Sequence, residues 1–292
     1  MDTLQAFLAF LQPWEFSPAV LALCLGAMGL YARGLWRTAA AERPHPARRI
    51  AFFTGWTLIY LVMQTQYDYL SQHMFFIHRL QHLVLHHLGP FLIALSAPLA
   101  TLARGLPDRL GDRVFAPFWR HPITRTLYRW IQNPVLAPVL FVGLIYLWLT
   151  PSIHFAAMLS ERYYALMNWS MLLDGLLFWS LVLDPRSRRD GALLGFGLRI
   201  AIVLLAIPPQ ILIGSFIGLS QKDLFDVYQV CGRAWAMDAH TDQIWGGLIT
   251  WIPASMMHVI GALILIGRWM RSDEGPSRRR RLAEANARRS AA

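Results

Sequence analysis

Apolar residues run along this chain in long blocks broken by short polar ones. Seven blocks are long enough to be membrane helices: 17–36, 50–70, 72–99, 134–154, 163–183, 193–217 and 243–267. A spanning helix needs about 20 mainly apolar residues. Residues 1–16 are too short to span, and Phe7, Leu8, Leu11 and Trp14 suggest an interfacial segment. Residues 37–49 form a polar, proline-containing linker, and 103–131 alternate Arg and Trp with apolar residues, as expected of a stretch lying along a membrane surface. Residues 268–292 form a basic tail expected to be largely disordered. The predicted fold class is therefore all-α: a polytopic membrane helix bundle of about seven transmembrane helices over 17–267, flanked by the interfacial segment and the tail.

Composition supports the membrane reading. The 292 residues are 55% hydrophobic and only 15% charged, whereas soluble domains carry about 25% charged residues. The N-terminus has no Lys or Arg before its first apolar run, so no cleavable signal peptide is expected. Cys24 and Cys231 are too few and too separated to signal a disulfide framework.

The net charge of +10 invites a nucleic-acid reading, but its distribution points elsewhere. Of the 27 basic residues, 23 fall in the gaps after the first, third, fifth and seventh blocks or in the block ends beside them, such as Arg33 and Arg199. Arg162, Lys222 and Arg233 lie on the opposite side, and Arg79 lies within the third block. The positive-inside rule then places the N-terminus outside and the C-terminus inside. The charge is read as a topology signal and a contact with anionic lipid at the cytoplasmic face, with no nucleic-acid partner.

The third block carries the candidate chemistry. His73, His78, His82, His86 and His87 fall within 15 residues of it. His78, His82 and His86 recur every fourth residue, which puts them on one face of a regular helix. Two imidazoles one turn apart can share a metal ion; a proton relay or a haem pocket is also compatible with the pattern. In the predicted topology the unusual polar residues gather at the outer face: Gln64 and Asp68 at the end of the second block, His154 at the end of the fourth, Tyr164 and Asn168 in the fifth, and His240, Asp242 and Gln243 at the start of the seventh. The candidate metal ligands are His78, His82, His86 and His154, with Gln81, Asp68, Asp242 and Gln243 in support. His87 points about 100° away from His86 on a helix and is read as a packing or hydrogen-bonded residue. Asp242 is also a candidate cap for the seventh helix. Met63, Met74, Met158 and Met167, on the outer side, could offer thioether sulfur to Cu(I), though methionine in a membrane bundle more often simply packs.

Three motifs carry a resemblance to a known family. His78-Arg79-Leu80-Gln81-His82, followed by Pro90 and Ala97-Pro98, is the first. The second is DGLLFW, from Asp174 to Trp179; the third runs from Asp242 and Gln243 through Gly246, Gly247 and Trp251 to Pro253. Together they resemble the CtaG-like family of bacterial seven-helix cytochrome c oxidase assembly proteins, over roughly residues 50–267. Tyr164 and Asn168 stand where that family commonly has histidines, and His86 stands where it more often has an apolar residue or Met.

No His-Glu-x-x-His, Gly-x-Ser-x-Gly or phosphate loop is present, so an independent enzyme is not expected. The resemblance implies a multi-pass protein of the bacterial plasma membrane that serves a copper-containing oxidase. Its partners would be oxidase subunits or other assembly factors. Copper, rather than haem, is the expected metal, bound or delivered at the periplasmic face by the histidines of the third helix. The alternatives from the residues themselves are a b-type haem electron carrier and a proton- or metal-coupled transporter.

Overall fold

The computed structural model describes residues 3–272, together with Arg289. Most of the basic tail expected over 268–292 therefore lies outside the described residues. No β-strand occurs among the described residues; the elements are helices and connecting turns.

A short helix α1 (Thr3–Phe10) leads into α2 (Pro18–Trp36). Ser17 caps α2 by accepting from the Val20 N–H, and Pro18 occupies the first turn, where its missing N–H costs nothing. The second apolar block begins earlier than expected, at Pro46, and breaks at Thr65, giving α3 (Pro46–Gln64) and α4 (Gln66–His73). The third block starts afresh at Met74. It comprises α5 (Phe75–His82), a π-helical turn (Leu83–Leu88) and α6 (Gly89–Leu95). It then bends by 77° into α7 (Leu99–Gly105). Ala97, with φ 50°, sits between these last two helices.

The stretch expected along the membrane surface is helical in pieces, ending in α8 (Pro122–Ile131), with Phe118, Trp119, Ile123, Leu127 and Trp130 exposed. α8 meets α9 (Leu136–Leu149) at 68°. Pro151 then opens a separate helix, α10 (Pro151–Met158), so His154 is not on the fourth spanning helix but beyond it. α11 (Glu161–Val182), α12 (Phe196–Leu205), α13 (Ile207–Leu219) and α14 (Ala239–Arg271) complete the bundle.

Among the described residues, four helices are by themselves long and apolar enough to cross a membrane, with α12 and α13 counted as the single run Phe196–Leu219, and up to six if each bent pair is one span. The remaining block, α3, is 19 residues long but carries Arg48, Arg49 and Gln64 near its ends. The chain is an all-helical, multi-pass membrane protein.

Two close approaches set the packing around the histidines. A Cβ on Gly247 would lie 2.5 Å from the Gly218 nitrogen and 2.7 Å from the Gly214 carbonyl, so α13 and α14 touch backbone to backbone. A Cβ on Gly175 would lie 2.5 Å from the His86 carbonyl oxygen, so α11 lies directly on the π-helical turn. At the other end of the bundle, the buried Arg199 and the half-buried Arg268 tie down the connection between α11 and α12. Arg199 donates to the carbonyls of Asp184, Arg186 and Leu194, and Arg268 to that of Leu183. Leu183 is the C-cap residue of α11, and Asp184, Arg186 and Leu194 lie in the connection between α11 and α12. Part of the positive charge at that end is thus structural.

Candidate functional site

The histidines divide into two groups, and the π-helical turn is the reason. Expecting His78, His82 and His86 on one face assumes a regular helix. The widened turn at Leu83–Leu88 adds a residue to one turn, which rotates every later side chain. His78 and His82 remain neighbours, with ring centroids 4.4 Å apart. His86 turns instead towards α11, where its Nε2 lies 3.0 Å from Asp174 Oδ2.

His154 joins the first group. It reaches from α10 to place its ring 5.1 Å from that of His78. His82 and His154 have both ring nitrogens committed. A guanidinium only donates, so the 3.2 Å contact from Arg79 Nη1 makes His82 Nδ1 an acceptor; His82 Nε2–H then donates to Asn168 Oδ1 at 3.1 Å. A carbonyl only accepts, so His154 Nδ1–H donates to Trp148 O at 3.0 Å, and His154 Nε2 accepts from the Tyr228 hydroxyl at 3.0 Å. His78 differs. It is completely buried, and among the described residues neither ring nitrogen has a hydrogen-bond partner. The Ser71 main chain lies near the ring without meeting hydrogen-bond geometry.

Arg79 is buried beside this group. Its Nε donates to Thr250 Oγ1 at 3.0 Å, and Thr250 donates onward to Gly246 O. Among the described residues no carboxylate forms an ion pair with Arg79.

The supporting residues hold the frame rather than the imidazoles. Asp68 Oδ1 accepts from Gln81 Nε2 and from the Tyr164 hydroxyl, both at 2.8 Å, and its Oδ2 accepts from Gln72 at 3.0 Å. Gln81 also donates to Val62 O at 2.7 Å, which ties α5 to α3. Asp242 caps a helix, though not its own. It accepts from the Phe75 and Phe76 N–H groups, at 3.1 and 2.8 Å, at the start of α5, and it meets Arg233 at 3.4 Å. The cap of α14 is Asp238, which accepts from the Thr241 N–H at 3.0 Å; that bond holds the Asp238 carboxyl below the usual carboxylate range. Gln243 donates to the carbonyls of Ile217, Ser220 and Lys222 and accepts from Leu224 N–H, closing the loop between α13 and α14. Tyr164 and Asn168 are thus part of the network: one bonds Asp68, the other orients His82.

The second group lies deeper along the same helix. His86 stacks on Phe141 at 4.0 Å, and its ring centroid lies 5.0 Å from that of His87. His87 Nε2–H donates to Gln210 Oε1 at 3.2 Å. Gln210 Nε2 lies 3.4 Å from His258 Nε2, and His258 Nδ1–H donates to Ala254 O at 2.8 Å. The Nδ1 atoms of His86 and His87 are buried without partners.

Sequence reasoning missed Tyr228, Arg79 and Gln210 as neighbours of the histidines. Tyr228 lies on a four-residue helix, Val227–Val230, too short to show any periodicity. Arg79 did carry a signal, because a charge inside an apolar block is expensive and faces a bundle interior.

Imidazole donors, with the Met158 sulfur 4.0 Å from the Tyr228 hydroxyl, have the chemistry a soft metal ion prefers. The arrangement is open, however. Among the described residues, no three His, Cys, Asp or Glu side chains converge to hold a metal ion. Within the His78, His82 and His154 group, only His78 among the described residues offers a nitrogen without giving up a bond. No curated protein and no solved structure matches this chain. One family model does, over residues 29–272, which takes in both histidine groups and all three sequence motifs, and the chain therefore belongs to the cytochrome c oxidase caa3 assembly factor (Caa3_CtaG) family.

Proposed function

We propose that this chain is a plasma-membrane assembly factor for a copper-containing cytochrome c oxidase. In this reading Cu(I) is its cargo, taken up at the group led by His78 with His82 and His154. The observation that carries the copper part is His78: a fully buried imidazole with no hydrogen-bond partner, beside two further imidazoles. Leaving a buried polar group unpaired costs about 1–3 kcal/mol, which a ligand would recover.

Each residue then has a task. His78 offers a nitrogen lone pair directly. His154 Nε2 becomes available when the Tyr228 hydroxyl rotates away, at a net cost of about 0.5–1.5 kcal/mol for one hydrogen bond. Asn168 holds the His82 ring, and Asp68, Gln81 and Asp242 hold α5 in place. Arg79 places a cation beside the group, with no carboxylate among the described residues paired to it, which weakens the hold on a second cation. Weak retention suits a cargo site, since the metal must leave again. The 23-to-3 asymmetry of basic residues supports placing this end of the bundle on the periplasmic side, where oxidase subunits would meet it, with anionic lipid at the opposite face.

The test has two parts. A strain lacking the protein should contain less copper-loaded oxidase at unchanged transcription of its subunits. His78→Ala, purified in detergent under anaerobic, reducing conditions, should bind less Cu(I) than wild type while keeping its helical content. Normal oxidase in the deletion strain under limiting copper would overturn the assembly role. Unchanged copper stoichiometry in His78→Ala would overturn the cargo site alone.

A further inference from the structure

We propose that His86 and His87 form a second, buried site for a soft monovalent cation of the Cu(I) kind, with Asp174 as its counter-charge. This rests on the reading that the chain handles copper but is independent of the His78 group.

The donors come first. His86 is completely buried and His87 only 4% exposed. The rings sit 5.0 Å apart at 77°. In each ring Nε2 carries the proton and is committed, to Asp174 Oδ2 in one and Gln210 Oε1 in the other. That leaves both Nδ1 lone pairs, and these are the unpartnered atoms. A histidine that ligates a metal through one nitrogen characteristically donates its other N–H to a carboxylate or carbonyl, which fixes the tautomer and raises the basicity of the ligating atom. Both rings already stand in that arrangement. A core histidine that merely packs has no need of a carboxylate behind it.

Charge then selects the ion. Asp174, 8% exposed, is the carboxylate of this group, and Arg186, the cation paired with an acidic residue further down the chain, bonds Asp184 instead. One buried negative charge neutralises one positive one, and an uncompensated buried charge is costly. A monovalent ion leaves the group neutral, whereas a divalent ion leaves one charge over. Two nitrogen donors in an aromatic surround are a low coordination number, which Cu(I) accepts and hard oxygen-seeking cations do not.

The third observation is independent of both. The DGLLFW run, which the assembly reading leaves without a task, converges on His86. Asp174 bonds its ring. Gly175 permits the approach of α11 to its backbone, since a Cβ there would lie 2.5 Å from the His86 oxygen. Trp179 Nε1–H donates to that same oxygen at 3.2 Å. The α-helical (i+4) position for that oxygen is residue 90, a proline with no N–H, and the indole supplies a donor to it. Ring, backbone and carbonyl of one histidine are each fixed by a different residue of one short motif.

The experiment is a Cu(I) titration of the full-length protein in detergent under anaerobic, reducing conditions, with bicinchoninate as the competing chromophoric chelator. Wild type should bind two equivalents. His78→Ala/His154→Ala should keep one, and adding His86→Ala/His87→Ala to it should remove that one. If His78→Ala/His154→Ala keeps no copper, the second site is overturned and the His78 reading stands. If His86→Ala/His87→Ala alone still binds two equivalents, it is likewise overturned. If wild type binds none, both readings fall. Should the alanine variants fail to fold, Asp174→Asn in the His78→Ala/His154→Ala background decides: the shape is kept, and affinity should drop about 10- to 100-fold. Unchanged affinity in that variant overturns the proposal.

Discussion

The two histidine groups share one helix yet live under opposite electrostatics. The His78 group has a buried guanidinium beside it and, among the described residues, no carboxylate bonded to its rings. The His86 pair has a carboxylate on one ring and an amide on the other. The first is drawn from three elements, α5, α10 and the loop carrying Tyr228, and is held by long-range caps such as Asp242. The second sits where α11 lies directly on the π-helical turn. The same residue type is therefore poised for different duties, a loose site near one end of the bundle and a braced one within it. Neighbouring charge, more than histidine count, makes the difference.

The contrast can be broken most forcefully through Asp242. Asp242→Ala removes the cap of α5 and leaves Arg233 without its carboxylate. Breaking a buried ion pair from one side costs about 3–5 kcal/mol. The expected result is a large fall in the detergent unfolding midpoint, together with loss of copper from the His78 group before the His86 pair.

Next in size is Gly175→Val. The added side chain meets the His86 backbone, and overpacking of this kind costs about 1–3 kcal/mol. The same unfolding measurement should show it, and copper held by the His86 pair should fall while that of the His78 group persists. Loss confined to the His78 group would remove the assignment of α11 to the deeper pair.

Tyr228→Phe sharpens the comparison instead of breaking it. It deletes the hydroxyl that occupies His154 Nε2, a bond worth about 0.5–1.5 kcal/mol. Stability should drop slightly, and Cu(I) affinity of the His78 group should rise, because His154 no longer has to give up a partner. Equal or weaker binding would show that His154 is not a ligand.

The smallest effect concerns Asp238, which caps α14 near Asp242. Its carboxyl is held below the usual range by the Thr241 N–H, so its contribution is present above the unfolded value of about 3.9 and is lost as pH falls through the lower folded value. The protection factor of the Thr241 amide should fall only in that acidic window, and Asp238→Ala should show the low protection at every pH.

Much of this was legible beforehand. The apolar blocks located the membrane helices, and the spacing of His78 and His82 foretold their contact, because four residues make about one turn wherever the helix is regular. The three motifs pointed to the family that the match over residues 29–272 establishes. Asp68, Gln81, Asp242 and Gln243 were expected to support the imidazoles, whereas their bonds go to backbone and to each other.

What the sequence by itself determined is what depends on local pattern: which segments are apolar enough to span, where Pro18 and Ser17 start a helix, and that imidazoles and a guanidinium are buried together on one apolar block. Tertiary structure decided the pairings. A π-helical turn leaves no distinctive mark in composition, yet it turned His86 away from His78 and towards Asp174, 88 residues further along the chain. His154 came to His78 because Pro151 opened a new helix and Trp148 and Tyr228 fixed the ring. Local pattern sets which face a residue takes on its own helix. Which charge or hydroxyl stands opposite depends on how helices distant in sequence pack, and in an apolar bundle that packing turns on single glycines and on finding a partner for each buried polar atom.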